Sequence, residues 1–328
     1  MVDCRVVPAS LPSLELMPLE EMLERLDRVL AASPADETEI AWLEARRGRE
    51  GMGKARDGER RERTLLVRVR ESGRAGFQRT GESTISELEN AVRMALAQAR
   101  LAPAAGAVPR ALPKPTPGGS GALAASRPTD RGPELWDGEL AGLNPGKARH
   151  LVQRLAGPAG TARLAWATAR VAVGRSDGRR RSAEVTAAGL EIRQGSGPGT
   201  GRATAAARTW AGLAAEAVAE RARRLAAPAS LTEPADLPAG PLPLLLAPEA
   251  TAALVDLLNR QALSSAAFKE SISFLRDRLG QQLFHPAVSL RDDAGDPRGL
   301  PFPFDISGDA KRPVDLIADG VVLTPAID

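Results

Sequence analysis

The hydrophobic positions of this chain change period several times, and each change predicts an element. Over residues 19–30, Met22, Leu23, Leu26, Val29 and Leu30 recur at three- and four-residue spacing, the pattern of a helix with one apolar face. Over residues 64–70 the period falls to two. Leu65, Val67 and Val69 alternate with Arg68 and Arg70, so this segment reads as a strand, with another at residues 37–46 and a Gly- and Arg-rich loop between them. Helical spacing returns in "STISELENAVRMALAQARLAP". There Ile85, Leu88, Val92, Ala95, Leu96 and Ala99 form one stripe, Thr84 and Glu87 stand at capping-box spacing, and Pro103 stops the helix.

Residues 102–133 are Pro, Gly, Ala and Ser with few large apolar side chains, so they cannot bury a core and read as a linker. Beyond it the pattern predicts a helix at residues 145–155, strands at 165–173 and 181–193, and a long helix at about 205–225. A second Pro-rich stretch covers residues 227–243. Then comes "LLLAPEATAALVDLLNRQ", in which Leu244, Leu245 and Leu246 read as a buried strand and Pro248 with Glu249 as a helix opening. Ala250, Ala253, Leu254, Leu257 and Leu258 assign one face of that helix to a core. Residues 273–282 follow, then a strand at 288–291 and a hairpin over 314–323 folded about Asp319-Gly320.

Composition narrows the class. A chain of 328 residues with 43% apolar residues can build real cores and is long enough for two or three domains. The balance of 44 basic and 41 acidic residues gives +3, too little for a molecule that grips polyanions with its whole surface. Locally the charge is uneven: residues 41–80 hold 12 Arg or Lys against 6 Asp or Glu, with Arg46, Arg47, Arg49, Arg60, Arg61 and Arg63 close together. Only Trp42 and Phe77 there could stack a base, so a solvated loop with arginine-edged strands is the favoured reading over nucleic-acid binding. The single cysteine, Cys4, excludes an intramolecular disulfide and fits a cytoplasmic chain. No run reaches the roughly 18 apolar residues of a membrane span, and the amino terminus lacks a secretion pattern.

Familiar chemistry is sparse. "GSGPGTG" (residues 195–201) invites a phosphate-cradle reading but lacks the G-x-G-x-x-G spacing and the Gly-Lys-Ser/Thr of a Walker loop, so a connector is expected. His150 and His285 stand far apart with no metal-ligand neighbour at a recognised spacing, and His285, in "FHP", reads as a turn residue. No His or Cys base and nucleophile pair is present for a hydrolase. Asp292, Asp293 and Asp296 in "RDDAGDP" lack the alternation of a calcium loop, and Gly295 and Pro297 mark a turn.

Four segments resemble one family. They are "GRAGFQRTGESTISELENAVRMALAQAR", "LWDGELAGLNPGKARHLVQRL", "SAEVTAAGLEIRQGSGPGTG" and "ISFLRDRLGQQLFHPAVSLRDDAGDPRGLPFPFDISG", the last carrying a Ser-Phe-Leu, Leu-Gly-Gln-Gln and Phe-Asp pattern. By these the chain resembles the TldD/PmbA family and, within it, the PmbA (TldE) branch. The resemblance implies an α+β fold: an N-terminal α/β domain over residues 1–103, a linker at 104–133, a central α+β domain at 134–238, and a β-rich C-terminal domain at 239–328 that looks cut short. It marks Gly76, Phe77, Gly280, Gln281, Phe304 and Asp305 as family-pattern residues of structural role.

Catalytic TldD members resemble zinc metallopeptidases with His-Glu-x-x-x-His on the helix matching residues 248–261. Two histidines hold the metal and the glutamate handles the proton of the attacking water. Laid on this sequence the motif falls near Asp256, Leu257 and Gln261, and that helix contains no histidine. The resemblance therefore implies a non-catalytic subunit or accessory of a TldD-like zinc metallopeptidase that processes or degrades peptides. Such a chain would bind no cofactor, leave the zinc to its partner, and work in a hetero-oligomer or by self-association. A stand-alone peptide-binding module is the alternative. An active metallopeptidase is a further one, and it would need Asp256, His285 or Asp292 to converge.

Overall fold

Two long hairpins make the centre of the molecule. The computed structural model describes residues 9–11, 15–52, 58–102, 135–196, 199–229 and 238–325. Strand β1 (Ala9–Leu11) is short, and helix α1 (Leu19–Ala31) precedes the first hairpin, β2 (Glu37–Gly51) with β3 (Gly58–Glu71). Strand β4 (Arg74–Thr80) and helix α2 (Ile85–Leu101) complete this half. The second half runs through α3 (Gly138–Ala141), α4 (Pro145–Ala156), the hairpin β5 (Gly160–Arg175) with β6 (Arg180–Gln194), β7 (Gly201–Ala207), α5 (Trp210–Leu213) and α6 (Ala215–Ala229). The expected linker at residues 104–133 and Cys4 lie outside the described residues.

The two halves share one antiparallel sheet of seven strands, in the order β1-β3-β2-β5-β6-β7 with β4 also against β3. The join is β2 beside β5, from Glu39 opposite Arg175 to Gly51 opposite Arg163. The succession helix, long strand, long strand, short strand, helix thus occurs twice. Both short strands bring a glycine against the helix that follows. A Cβ added at Gly76 would stand 1.9 Å from the Ala95 carbonyl oxygen of α2, and one at Gly201 would stand 2.2 Å from the Ala222 carbonyl oxygen of α6. Only glycine permits backbones that close.

The helices cover one face and make two cores. Met22, Leu26, Ile40, Trp42, Leu65, Val67, Leu88, Val92 and Leu96 form the first. Val152, Leu155, Leu164, Trp166, Leu190, Ile192, Leu213 and Ala219 form the second. Thr84 caps α2 as its spacing predicts: its hydroxyl accepts from the Glu87 backbone N–H at 3.3 Å and meets the Glu87 carboxylate at 2.5 Å.

Both strands of the first hairpin outrun the sequence reading. Most of the arginines placed in a loop lie in register on β2 and β3, where alternation carries them to opposite faces and beside glutamates. On the helix side, buried Glu44 accepts from Arg63 Nε at 3.0 Å, Arg61 Nε at 2.5 Å and the Met17 backbone N–H at 3.0 Å. Burial alone would raise the Glu44 carboxyl's pKa, but the Met17 N–H and the two guanidinium groups hold it below the ordinary carboxylate value. Trp42 is fully buried, with Arg63 lying 5.8 Å from its ring centroid, so it offers no surface to a base.

A second correction concerns residues 205–225. Alanine favours helix, yet Ala203, Ala205 and Ala207 lie on a strand paired with β6. Helix begins only after Thr209, whose hydroxyl accepts from the Gly212 N–H at 3.0 Å, and Ala214 in the left-handed region (φ 45°) separates α5 from α6. Ladder hydrogen bonds and burial at the sheet edge override intrinsic preference here. "GSGPGTG" accordingly joins two strands rather than a strand and a helix; its residues 197–198 lie outside the described residues.

The C-terminal part has helix α7 (Pro248–Leu258), a π turn (Asn259–Leu263), α8 (Ser265–Lys269), and a small sheet of β8 (Leu290–Asp292), β9 (Val314–Ala318) and β10 (Val321–Val322). Asp319 (φ 47°) and Gly320 (φ 80°) turn the last hairpin, as their pairing in sequence predicts. Helices and antiparallel strands together make the chain α+β.

Candidate functional site

The helix on which the metallopeptidase motif would fall is the natural place to look for chemistry. Pro248 occupies the first turn of α7, where no backbone N–H partner is needed, and Glu249 sits beside it, 2.9 Å from Arg221 of α6. The far end is anchored differently. Ser264 N–H bonds the Asn259 carbonyl at 2.8 Å, closing the π turn, and Ala262 and Leu263 enter a small core with Leu275, Leu316 and Val322. Ser273, the serine of the Ser-Phe-Leu pattern, donates to the Ala262 carbonyl at 2.7 Å and accepts from the Leu275 N–H at 3.1 Å.

The side chains there do not fit zinc. Asp256 is exposed and ion-paired with Arg260 one turn on, Leu257 has no donor atom, and the Gln261 amide is a weak ligand. Among the described residues no group of three His, Cys, Asp or Glu could hold a metal ion. His285 Nδ1 accepts from the Ala287 N–H at 3.1 Å, the turn role its context predicts, and His150 lies exposed on α4. Asp293 accepts from the Gly295 N–H at 2.9 Å, and Asp296 is gripped by the Arg298 guanidinium, which pulls its pKa down to about 2. Asp293 and Asp296 thus belong to a turn, and Asp292 ends β8.

The apolar face of α7 does not meet the core assigned to it. No residue of α7 is buried, and Leu254 and Leu257 are 55% and 53% exposed. Leu258 alone of that stripe packs, partly buried, against the small core. The preceding Leu244 and Leu245 are 79% and 98% exposed and belong to no strand, not the buried strand their run suggests. Apolarity identified these residues as burial candidates, but nothing among the described residues covers them.

The family-pattern residues fall in separate places of the fold. Gly280 (φ 79°) turns the chain so that its N–H reaches the Val322 carbonyl at 2.7 Å, and the Gln281 carbonyl accepts from the Val322 N–H at 3.1 Å. Phe304, edge-on to Phe302 at 4.8 Å, is buried against Ala45, Ala169, Val173, Ala183 and Val185 on the sheet face away from the helices. Asp305 accepts from the Ser307 and Asp309 N–H groups at 2.9 Å each. Arg68 then bonds both Ser307, at 3.0 Å, and Glu39, at 2.6 Å, so this loop fixes the C-terminal part to the large sheet. Gly76 has the packing role described above, whereas Phe77 is 60% exposed on β4. Sequence reasoning missed the Glu44 cluster and strands β4 and β7; the Glu-Arg alternation of residues 44–63 was the available signal for the first.

No helix among the described residues is long and apolar enough to cross a membrane. Residues 239–328 match the family model described as the PmbA/TldA metallopeptidase C-terminal domain. No curated protein matches the chain. Solved structures share its fold, three of them as follows. A candidate modulator of DNA gyrase from Thermotoga maritima is 20% identical with a TM-score of 0.72, covering 94% of this chain and 70% of that one. A similarly described protein from Bacteroides thetaiotaomicron is 16% identical with a TM-score of 0.71, covering 94% and 72%. TldE from Thermococcus kodakarensis is 17% identical with a TM-score of 0.65, covering 94% and 69%.

Proposed function

We propose that this chain, a PmbA/TldD-family protein by its domain at residues 239–328 and by its fold, is a non-catalytic subunit or accessory of a TldD-like zinc metallopeptidase. The family is metallopeptidase-related. The observation that carries the finer reading is α7: the helix forms, and a π turn and Ser273 anchor its end, while Asp256, Leu257 and Gln261 offer no zinc donor set and no free glutamate to take a proton from water. A helix at this position without zinc donors argues for a structural task. The bare Leu254 and Leu257 face supports that task being contact with another polypeptide, since exposed contiguous apolar surface usually marks an interaction site. The chain would act in the cytoplasm, and the zinc would belong to the partner.

The test is the solution mass of the chain, alone and mixed with the TldD-like protein of the same source, by light scattering on a sizing column. A mixed species, with peptide cleavage that is abolished by altering the partner's zinc ligands, is the expected result. Separate elution, or zinc-dependent cleavage by this chain alone, would overturn the reading. A stand-alone peptide-binding module would elute separately and still bind peptide.

A further inference from the structure

The sheet face turned away from the helices carries a feature that α7 does not explain. Strand register decides which residues share it. Phe302, Phe304 and Leu135 cover the rows around Ala169, Val173 and Val185, and beyond them Arg49, Arg163, Ala165 and Ala206 are exposed among the described residues. In the first row beyond, Arg60 and Arg47 stand beside Ala167 and Ala187. In the next Arg49 stands beside Ala165, Gly189 and Ala206. Arg163 lies opposite Glu191 in register after that, and Arg193 opposite Arg202 at the end. Ala165 and Ala206 are exposed, and a Cβ placed on Gly189 would touch nothing within 4 Å.

Six arginines therefore border a floor of small residues, and among the described residues two carboxylates stand with them. Glu62 serves both Arg47, at 3.1 Å, and Arg60. Glu191 serves both Arg193 and Arg202, at 2.8 Å each. Arg49 and Arg163 are exposed and have no ion-pair partner among the described residues. They lie diagonally across β2 and β5, within reach of neighbouring carboxylates on one extended chain.

We propose that this face binds an acidic polypeptide segment in extended form. Arginine forks suit carboxylates, and the alanine and glycine floor lets a backbone approach where larger side chains would hold it off. The chain's own residues 103–134 are a poor occupant, because Arg110, Lys114, Arg127 and Arg131 outnumber Asp130 and Glu134 there. A nucleic acid is a poorer one, since these rows contain no aromatic side chain for bases to stack on. The proposal rests on the peptide-handling reading above for its biological setting, but its test needs no partner chain.

The test is fluorescence anisotropy of the purified chain with a fluorescein-labelled peptide of alternating Glu and Thr. Binding should weaken about tenfold between about 50 and about 200 mM salt, as screening of exposed charges requires. The variant Arg49→Gln/Arg163→Gln should bind about fivefold more weakly or worse, while its unfolding transition stays unchanged. The proposal is overturned if the Glu-Thr peptide does not bind at low salt, if the double variant binds it as well as the parent, or if an alternating Lys-Thr peptide or single-stranded DNA of matched length binds as tightly. Failure here leaves the mixed-species test untouched, and the converse holds.

Discussion

Helices α2 and α7 carry similar apolar stripes and meet opposite fates. In α2, Leu88, Val92, Ala95, Leu96 and Ala99 are all buried against β3 and β4; in α7, Leu254 and Leu257 are more than half exposed. What separates them is the surrounding chain, since α2 has a sheet beneath it and Gly76 opens the space to dock. Periodicity reports that a helix has a face to bury. It says nothing about whether the covering surface lies in the same chain.

The contrast breaks most readily at the charged centre of the first region. Glu44→Gln leaves Arg61 and Arg63 buried beside a neutral group and should cost about 3–5 kcal/mol in urea unfolding. The pH dependence follows from the same group. The folded carboxyl titrates below its ordinary value of about 4.3, so its contribution is fully present above that pH and is lost as pH falls through the lower, folded value. The parent should therefore lose stability in acid more steeply than the Gln variant. Equal slopes would mean that Glu44 is not the group responsible.

Next in size is Leu88→Ala on the buried stripe of α2. Removing a fully buried leucine side chain should destabilise by about 3 kcal/mol, the sum of lost transfer energy and a residual cavity. Thr84→Ala, which removes the hydroxyl cap of the same helix, should cost about 1 kcal/mol by the same measurement. A Thr84 effect as large as that of Leu88 would imply that α2 is held by its end and not by its face.

Much of the frame was legible because local signals and tertiary structure agree. Thr84 with Glu87, Pro145 at its helix start, and Asp319-Gly320 each state a cap or turn in two or three residues, and each occurs where the spacing puts it. The failures share a cause. Residues 47–51 and 58–63 conceal strand under arginine, since a charged residue on a strand is tolerated once a glutamate stands across from it, and that pairing is invisible along the chain. Residues 203–207 conceal strand under alanine, because only the neighbouring β6 supplies the hydrogen bonds that decide. At the candidate site the missing ligands of Asp256, Leu257 and Gln261 could be read from sequence, whereas the exposure of the α7 face could not.

The smallest expected effect on stability is the most informative about that face. Leu254→Ser/Leu257→Ser exchanges two half-exposed leucines for polar residues and should change the unfolding free energy of the isolated chain by no more than about 0.5 kcal/mol, as exposed positions do. The same double variant should abolish the mixed species with a TldD-like partner on a sizing column if the face is an interface, because two apolar anchors there would carry a large share of the contact energy. A loss of several kcal/mol in the isolated chain would instead mean that α7 is covered in solution by the chain itself, and α2 and α7 would then differ in degree only. Unchanged stability with unchanged assembly would leave α7 as a helix with an apolar face and no task in binding, and the contact with a partner would have to lie elsewhere on the molecule.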